Sequence, residues 1–145
     1  MGTISNTITH GITLGTSGTY ASPLTITATG AVTAGTTIAV IGTYPSAAPW
    51  TVANYGAVQG YGGIDIGKGT VTNAGTIVGA GGNAFGIDAD PLGTVFNTGS
   101  LSLITGSGYG ILGGRQITNA GTISGSQYVG VSAGSGTVNN TGRRP

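Results

Sequence analysis

Cysteine and glutamate are both absent from this sequence, and charge of either sign is scarce. The acids are Asp65, Asp88 and Asp90, and the bases are Lys68, Arg115, Arg143 and Arg144. Without cysteine there is no disulfide framework and no thiolate metal site, and any redox compartment is permitted. A formal charge of +1, with no basic run and no aromatic–basic interleaving, excludes a recognisable nucleic-acid surface; Arg143-Arg144 is too short to form one. No apolar run reaches the ~18 residues of a membrane helix. Residues 1–14 have neither a basic start nor a continuous apolar stretch, so no signal peptide is visible there. The charged residues that favour helices are nearly missing while Thr, Val and Ile are plentiful, which favours strands.

What is abundant is glycine, 31 residues of 145, and it recurs in register with apolar residues. That regularity argues for order, since disordered chains combine low hydrophobicity with high charge. The organising stretch is Val71-Thr72-Asn73-Ala74-Gly75-Thr76-Ile77, which returns as Ile117-Thr118-Asn119-Ala120-Gly121-Thr122-Ile123. Looser copies run from Val52 to Val58 and from Val95 to Leu101, and a truncated one from Val138 to Gly142. The Asn steps are 54→73, 73→97, 97→119 and 119→140. A period of this length marks a stacked repeat architecture. Between the Asn motifs lies a second one, Gly63-Ile64, Gly86-Ile87, Gly110-Ile111 and Gly130-Val131, each shortly after an aromatic: Tyr61, Phe85, Tyr109, Tyr128.

Short strands separated by glycine turns cannot bury a face alone. Stacked as coils, each finds backbone partners ~4.8 Å above and below. The expected fold is therefore all-β: one parallel β-solenoid of about seven coils of roughly 19–26 residues, ~34 Å long. Residues 1–50 carry the pattern weakly, with Ala28 standing where Asn is expected and a proline-bearing loop at 44–50. Residues 51–142 form the regular repeats and 143–145 a tail. Alternation points Val71 inward and Thr72 outward. An Asn amide both donates and accepts, so Asn54, Asn73, Asn97, Asn119 and Asn140 form a self-satisfying ladder. Gly56, Gly75, Gly99, Gly121 and Gly142 are assigned to turns whose backbone angles a side chain resists. The expected apolar column is Val58, Ile77, Leu101, Ile123.

These motifs resemble the passenger repeats of bacterial autotransporters and filamentous-haemagglutinin-like adhesins, well over 51–142 and poorly over 1–50. The resemblance implies a right-handed parallel β-helix, export, and display at the bacterial cell surface. The signal peptide and membrane barrel of such proteins are not within these residues, so a segment of a longer passenger is expected.

Candidate chemistry is sparse. Asp65 and Asp88 both follow Gly-Ile and are expected to stack one coil apart, and paired carboxylates suit glycoside cleavage. The column ends where Leu112 and Ser132 replace the acid, so a structural reading outweighs the catalytic one. Asp65, Asp88 and Asp90 do not reproduce a calcium nonapeptide, and calcium wants six to eight oxygens. His10 has no nucleophile or acid beside it. No Ser sits in a nucleophile elbow, no Gly-rich run continues as a phosphate loop, and Asn139-Asn140-Thr141 matches a glycosylation pattern only as chance provides. The four aromatics would stack on sugar rings if they faced outward; their place beside Gly-Ile favours an internal stack. Thr70 and Thr72 raise an ice-binding reading, but their equivalents are Thr51/Ala53, Thr94/Phe96, Gln116/Thr118 and Thr137/Asn139, a broken column.

The sequence thus points to a structural or adhesive solenoid, not an enzyme, with no cofactor and no metal. The expected partners are further copies of the chain, head to tail, and surface glycans. A polysaccharide-active enzyme using Asp65 and Asp88 is the rival reading.

Overall fold

The computed structural model describes residues 1–42, 49–89 and 91–142. Among these the regular structure is all strand, and no helix is long and apolar enough to cross a membrane. Sheet 1 stacks β1 (Gly2–Ile4), β4 (Leu24–Ile26), β7 (Trp50–Asn54), β10 (Gly69–Asn73), β13 (Thr94–Asn97), β16 (Gln116–Asn119) and β19 (Thr137–Asn140). Sheet 2 stacks β2 (Thr7–Ile8), β5 (Ala31–Thr33), β8 (Ala57–Gly60), β11 (Thr76–Gly79), β14 (Leu103–Gly106) and β17 (Thr122–Gly125). Sheet 3 stacks β3 (Ile12–Thr13), β6 (Val40–Gly42), β9 (Ile64–Ile66), β12 (Phe85–Ala89), β15 (Tyr109–Gly113) and β18 (Val131–Ser132). Each coil contributes one strand to each sheet, and all pairings between coils are parallel.

The chain is a parallel β-solenoid of about six turns, with β19 opening a further one. The seven coils expected from the sequence included partial ones, and β19 is the start of the seventh. Six steps of ~4.8 Å set β1 and β19 ~29 Å apart centre to centre, and seven stacked layers at that spacing match the expected ~34 Å rod.

Strand alternation builds the core. Along β10 Gly69, Val71 and Asn73 are buried while Thr70 and Thr72 lie between them on the outer side. Stacking repeats this choice in each coil. Val52, Val71, Val95 and Ile117 line sheet 1, Val58, Ile77 and Ile104 line sheet 2, and Ile64, Ile87 and Ile111 line sheet 3, all essentially inaccessible. Each such side chain contributes ~1.5–3 kcal/mol by leaving water. The β-branched types suit the pleated wall.

Residues 1–42 belong to the same three sheets, although their motif is weak. Ile4 pairs with Ile26 and Ile26 with Asn54, so Ile26, not Ala28, holds the Asn position in the second coil. The turn after it is longer, closed by Gly30 N–H donating to Thr27 O at 2.9 Å, and it leaves Ala28 exposed. The expected 44–50 loop lies mostly outside the described residues. Its last member, Trp50, is buried and opens β7.

A second correction concerns the fifth coil. Ile104, not Leu101, stands between Ile77 and Ile123 in sheet 2, and Leu101 is 94% exposed. The extra Gly99-Ser100-Leu101 forms an outward turn, with Gly99 at φ +91° and Ser102 donating to Gly99 O from both N–H and Oγ. Counting from the Asn to the next apolar residue put Leu101 in the column because sequence spacing cannot see an inserted turn.

Candidate functional site

The most specific side-chain arrangement is the Asn ladder. Asn54 Nδ2 donates to Asn73 Oδ1 at 2.8 Å, Asn73 to Asn97 at 2.8 Å, Asn97 to Asn119 at 2.7 Å and Asn119 to Asn140 at 3.0 Å. The second N–H of Asn54, Asn73 and Asn97 serves a backbone carbonyl of the adjacent turn, Thr76 O, Leu103 O and Thr122 O respectively, and that of Asn119 serves Gly121 O in its own turn. Asn54 Oδ1 and Asn119 Oδ1 also accept from the N–H two residues on, in Gly56 and Gly121. Asn54, Asn73 and Asn97 are at most 1% exposed. A buried amide needs this full set of partners, and the ladder supplies it while fixing the register of sheet 1.

Beside it runs a glycine column whose cause differs from the expected one. Gly56, Gly75, Gly121 and Gly142 are not among the positive-φ residues. Gly75 is small because the turns touch: a Cβ there would lie 2.1 Å from Gly56 O. Gly99 is not in this column. Ser102 occupies its place, with Ser102 O accepting from Thr122 N–H as Gly56 O accepts from Thr76 N–H. Sequence reasoning missed Ser102 because the inserted turn hides its equivalence.

The outer face of sheet 3 gathers the remaining chemistry. Asp65 and Asp88 are register partners, with Ile41 and Leu112 on either side of the pair. They sit within strands β9 and β12, not in turns, and both are half-buried. Burial, and secondarily the neighbouring Asp88 carboxylate, raises the Asp65 pKa above its ordinary 3.8. Asp90 lies outside the described residues, and among those no three acids or histidines gather into a metal-sized group.

Along the edge where sheet 2 turns into sheet 3 run the aromatics, on the outside of the coil and not in its bore. Tyr61 and Tyr128 are about half exposed, and Phe85 and Tyr109, which are register partners, are partly so. The Phe85 ring occupies the space beside Gly62, and the Tyr61 ring that beside Gly81. Tyr109 and Tyr128 stack with centroids 4.8 Å apart. The neighbouring Gly63 and Gly86 pack against Ile77 and Ile104, so the bore is already filled by sheet 2; this is why the rings point outward. Asn83, at φ 56°, accepts from the Tyr128 hydroxyl at 3.2 Å. Its place after Gly81-Gly82 was the available signal, since Asn tolerates the left-handed region.

On the opposite edge, where sheet 3 returns to sheet 1, a groove of about 670 Å³ is lined by Asp88, Leu92, Leu112, Arg115 and Ser132 together with the 134–136 turn. On sheet 1 the outer residues pair as Thr51–Thr70–Thr94–Gln116–Thr137 and Ala53–Thr72–Phe96–Thr118–Asn139, so the threonine grid is interrupted in the actual register. His10 is an exposed residue between β2 and β3 in the first coil.

Comparison with family models, with curated proteins and with solved structures gives no match.

Proposed function

We propose that the chain is a structural segment of a secreted or surface-displayed bacterial protein, a rigid shaft or spacer with an adhesive role. The observation that supports this most directly is the uninterrupted Asn ladder above a continuous aliphatic core. From Asn54 to Asn140 each rung satisfies its neighbour, so these coils brace one another and this part of the stack resists bending. Repeat proteins of this kind offer extended walls suited to presentation. Antibody raised against the chain should label intact, unpermeabilised source cells; labelling only after permeabilisation overturns the surface assignment.

Self-assembly head to tail belongs to the same reading. The N–H and C=O groups on the outer side of an edge strand such as β19 template a further strand, and a joint that does not close yields a fibre. Uniform thin fibres in electron micrographs support it, and a clean monomer by light scattering at high concentration removes it.

The in-register Asp65 and Asp88 favour a second reading, polysaccharide cleavage by a carboxylate pair. Release of new reducing ends from a polysaccharide, abolished in Asp65→Ala/Asp88→Ala, would establish it; no release from either protein leaves the structural reading.

A further inference from the structure

We infer that the outer face of sheet 3 binds a neutral polysaccharide chain, laid along the strand direction from the aromatic edge past Asp65 and Asp88 to the groove at Arg115. This rests on the adhesive part of the reading above and gives it a surface and a ligand class.

The aromatic edge is exposed and held in place. Tyr61 donates its hydroxyl to Gly82 O at 3.0 Å and Tyr128 to Asn83 Oδ1 at 3.2 Å. Tyr61 is 47% and Tyr128 54% exposed even so. Rings fixed at their polar ends offer apolar surface at little further entropic cost on binding. Tyr128 continues onto the Tyr109 ring stacked 4.8 Å from it, and contiguous exposed apolar surface marks contact sites.

The acids complete the pattern. Phe85 and Asp88 lie on one strand, ~10 Å apart along it. Asp65 repeats the acid one coil below. An ionised carboxylate only accepts hydrogen bonds, and among the described residues none donates one to Asp65. A pyranose has the complementary chemistry: C–H groups on its face for a ring, hydroxyl donors on its rim for a carboxylate. The far edge supplies Arg115 and Ser132 as donors to sugar oxygens.

Other occupants fit less well. The interior strands of sheet 3 are paired on both sides, so an added peptide strand has no edge to join. A polycation would suit the acids and rings but meets Arg115, and a polyanion meets Asp65 and Asp88. A neutral chain avoids both conflicts.

The test is calorimetric titration of the full chain with cellohexaose, laminarihexaose and chitohexaose as neutral probes, a chitosan hexamer as cationic and hexagalacturonate as anionic. Saturable binding to a neutral probe is expected, with Tyr61→Ala, Tyr128→Ala and Asp88→Asn each weakening it about tenfold, the scale of one lost contact. Thr72→Ala, on sheet 1, should leave it unchanged, and circular dichroism confirms that each variant folds. No neutral probe binding, preference for the chitosan hexamer, or affinities indifferent to the three substitutions would overturn the assignment. Surface labelling of cells and glycan titration read different properties, so the display reading and this one fail separately.

Discussion

Asn73 and Asn97, 24 residues apart in sequence, are joined side chain to side chain, Asn73 Nδ2 donating to Asn97 Oδ1 at 2.8 Å. Asn97 passes the bond on to Asn119 and gives its second N–H to Thr122 O. The ladder therefore has a direction, each amide donating toward the C-terminal end of the stack.

That direction decides which groups each rung would leave stranded. Asn97→Leu strands a donor on Asn73 and an acceptor on Asn119 and should cost about 1–3 kcal/mol. Asn54→Leu strands one amide rather than two, since the rung below is Ile26, but it also strands Gly56 N–H and Thr76 O and should cost a comparable amount. Thr98→Ser keeps the exposed hydroxyl that donates to Asn73 O and should be nearly silent. Urea unfolding compares the three; equal losses from Asn97→Leu and Thr98→Ser would show that the ladder does not carry stability.

Much of this was legible in the sequence. Val71-Thr72-Asn73 reads as in–out–in from alternation alone, and its copies align Asn54, Asn73, Asn97, Asn119 and Asn140 in the register found. What could not be read is whatever depends on turn length. The longer turn before Gly30 and the inserted Gly99-Ser100-Leu101 shift equivalences without altering local pattern, so Ala28 and Leu101 were assigned columns they do not occupy. The outward aromatics were hidden for a related reason: only the packing of Gly63 on Ile77 shows that the bore has no room.

The glycine column predicts a separation of causes. Gly75→Ala sets a methyl 2.1 Å from a backbone oxygen that is itself tied into sheet pairing, so the coil must shift and the melting temperature should fall steeply. Gly99→Ala meets no atom within 4 Å and should cost only the ~1–2 kcal/mol of a left-handed backbone. Gly82→Ala, with open space and no positive φ, should be neutral. Thermal melts of the three variants check this, and an indifferent Gly75→Ala would mean that the turns are not in contact.

The displaced apolar column is checked by a pair. Ile104→Ala removes a fully buried side chain and should cost about 2–5 kcal/mol. Leu101→Ala, at a position 94% exposed, should change stability within ~0.5 kcal/mol. The reverse ranking in denaturant unfolding would restore Leu101 to the core.

Asp65 links the outer face to pH. Its pKa is raised first by burial and then by Asp88, so between 3.8 and the higher folded value the folded chain holds more proton than the unfolded chain. Stability contributed by this group therefore falls as pH rises through that window, and above it the full cost of the ionised carboxylate persists. Asp65→Asn removes the ionisation while keeping the shape. Its melting temperature should exceed that of the parent at pH 7, and the difference should shrink as the pH is lowered to about 3, where the parent carboxyl is protonated. Asp88→Asn removes the lesser cause of the Asp65 shift, so the pH window over which stability falls should narrow in that variant. Melts of all three proteins across this range decide the matter: a pH-independent difference, or an Asp65→Asn variant less stable than the parent at pH 7, would show that the Asp65 carboxylate is better solvated than its half-buried place on sheet 3 implies.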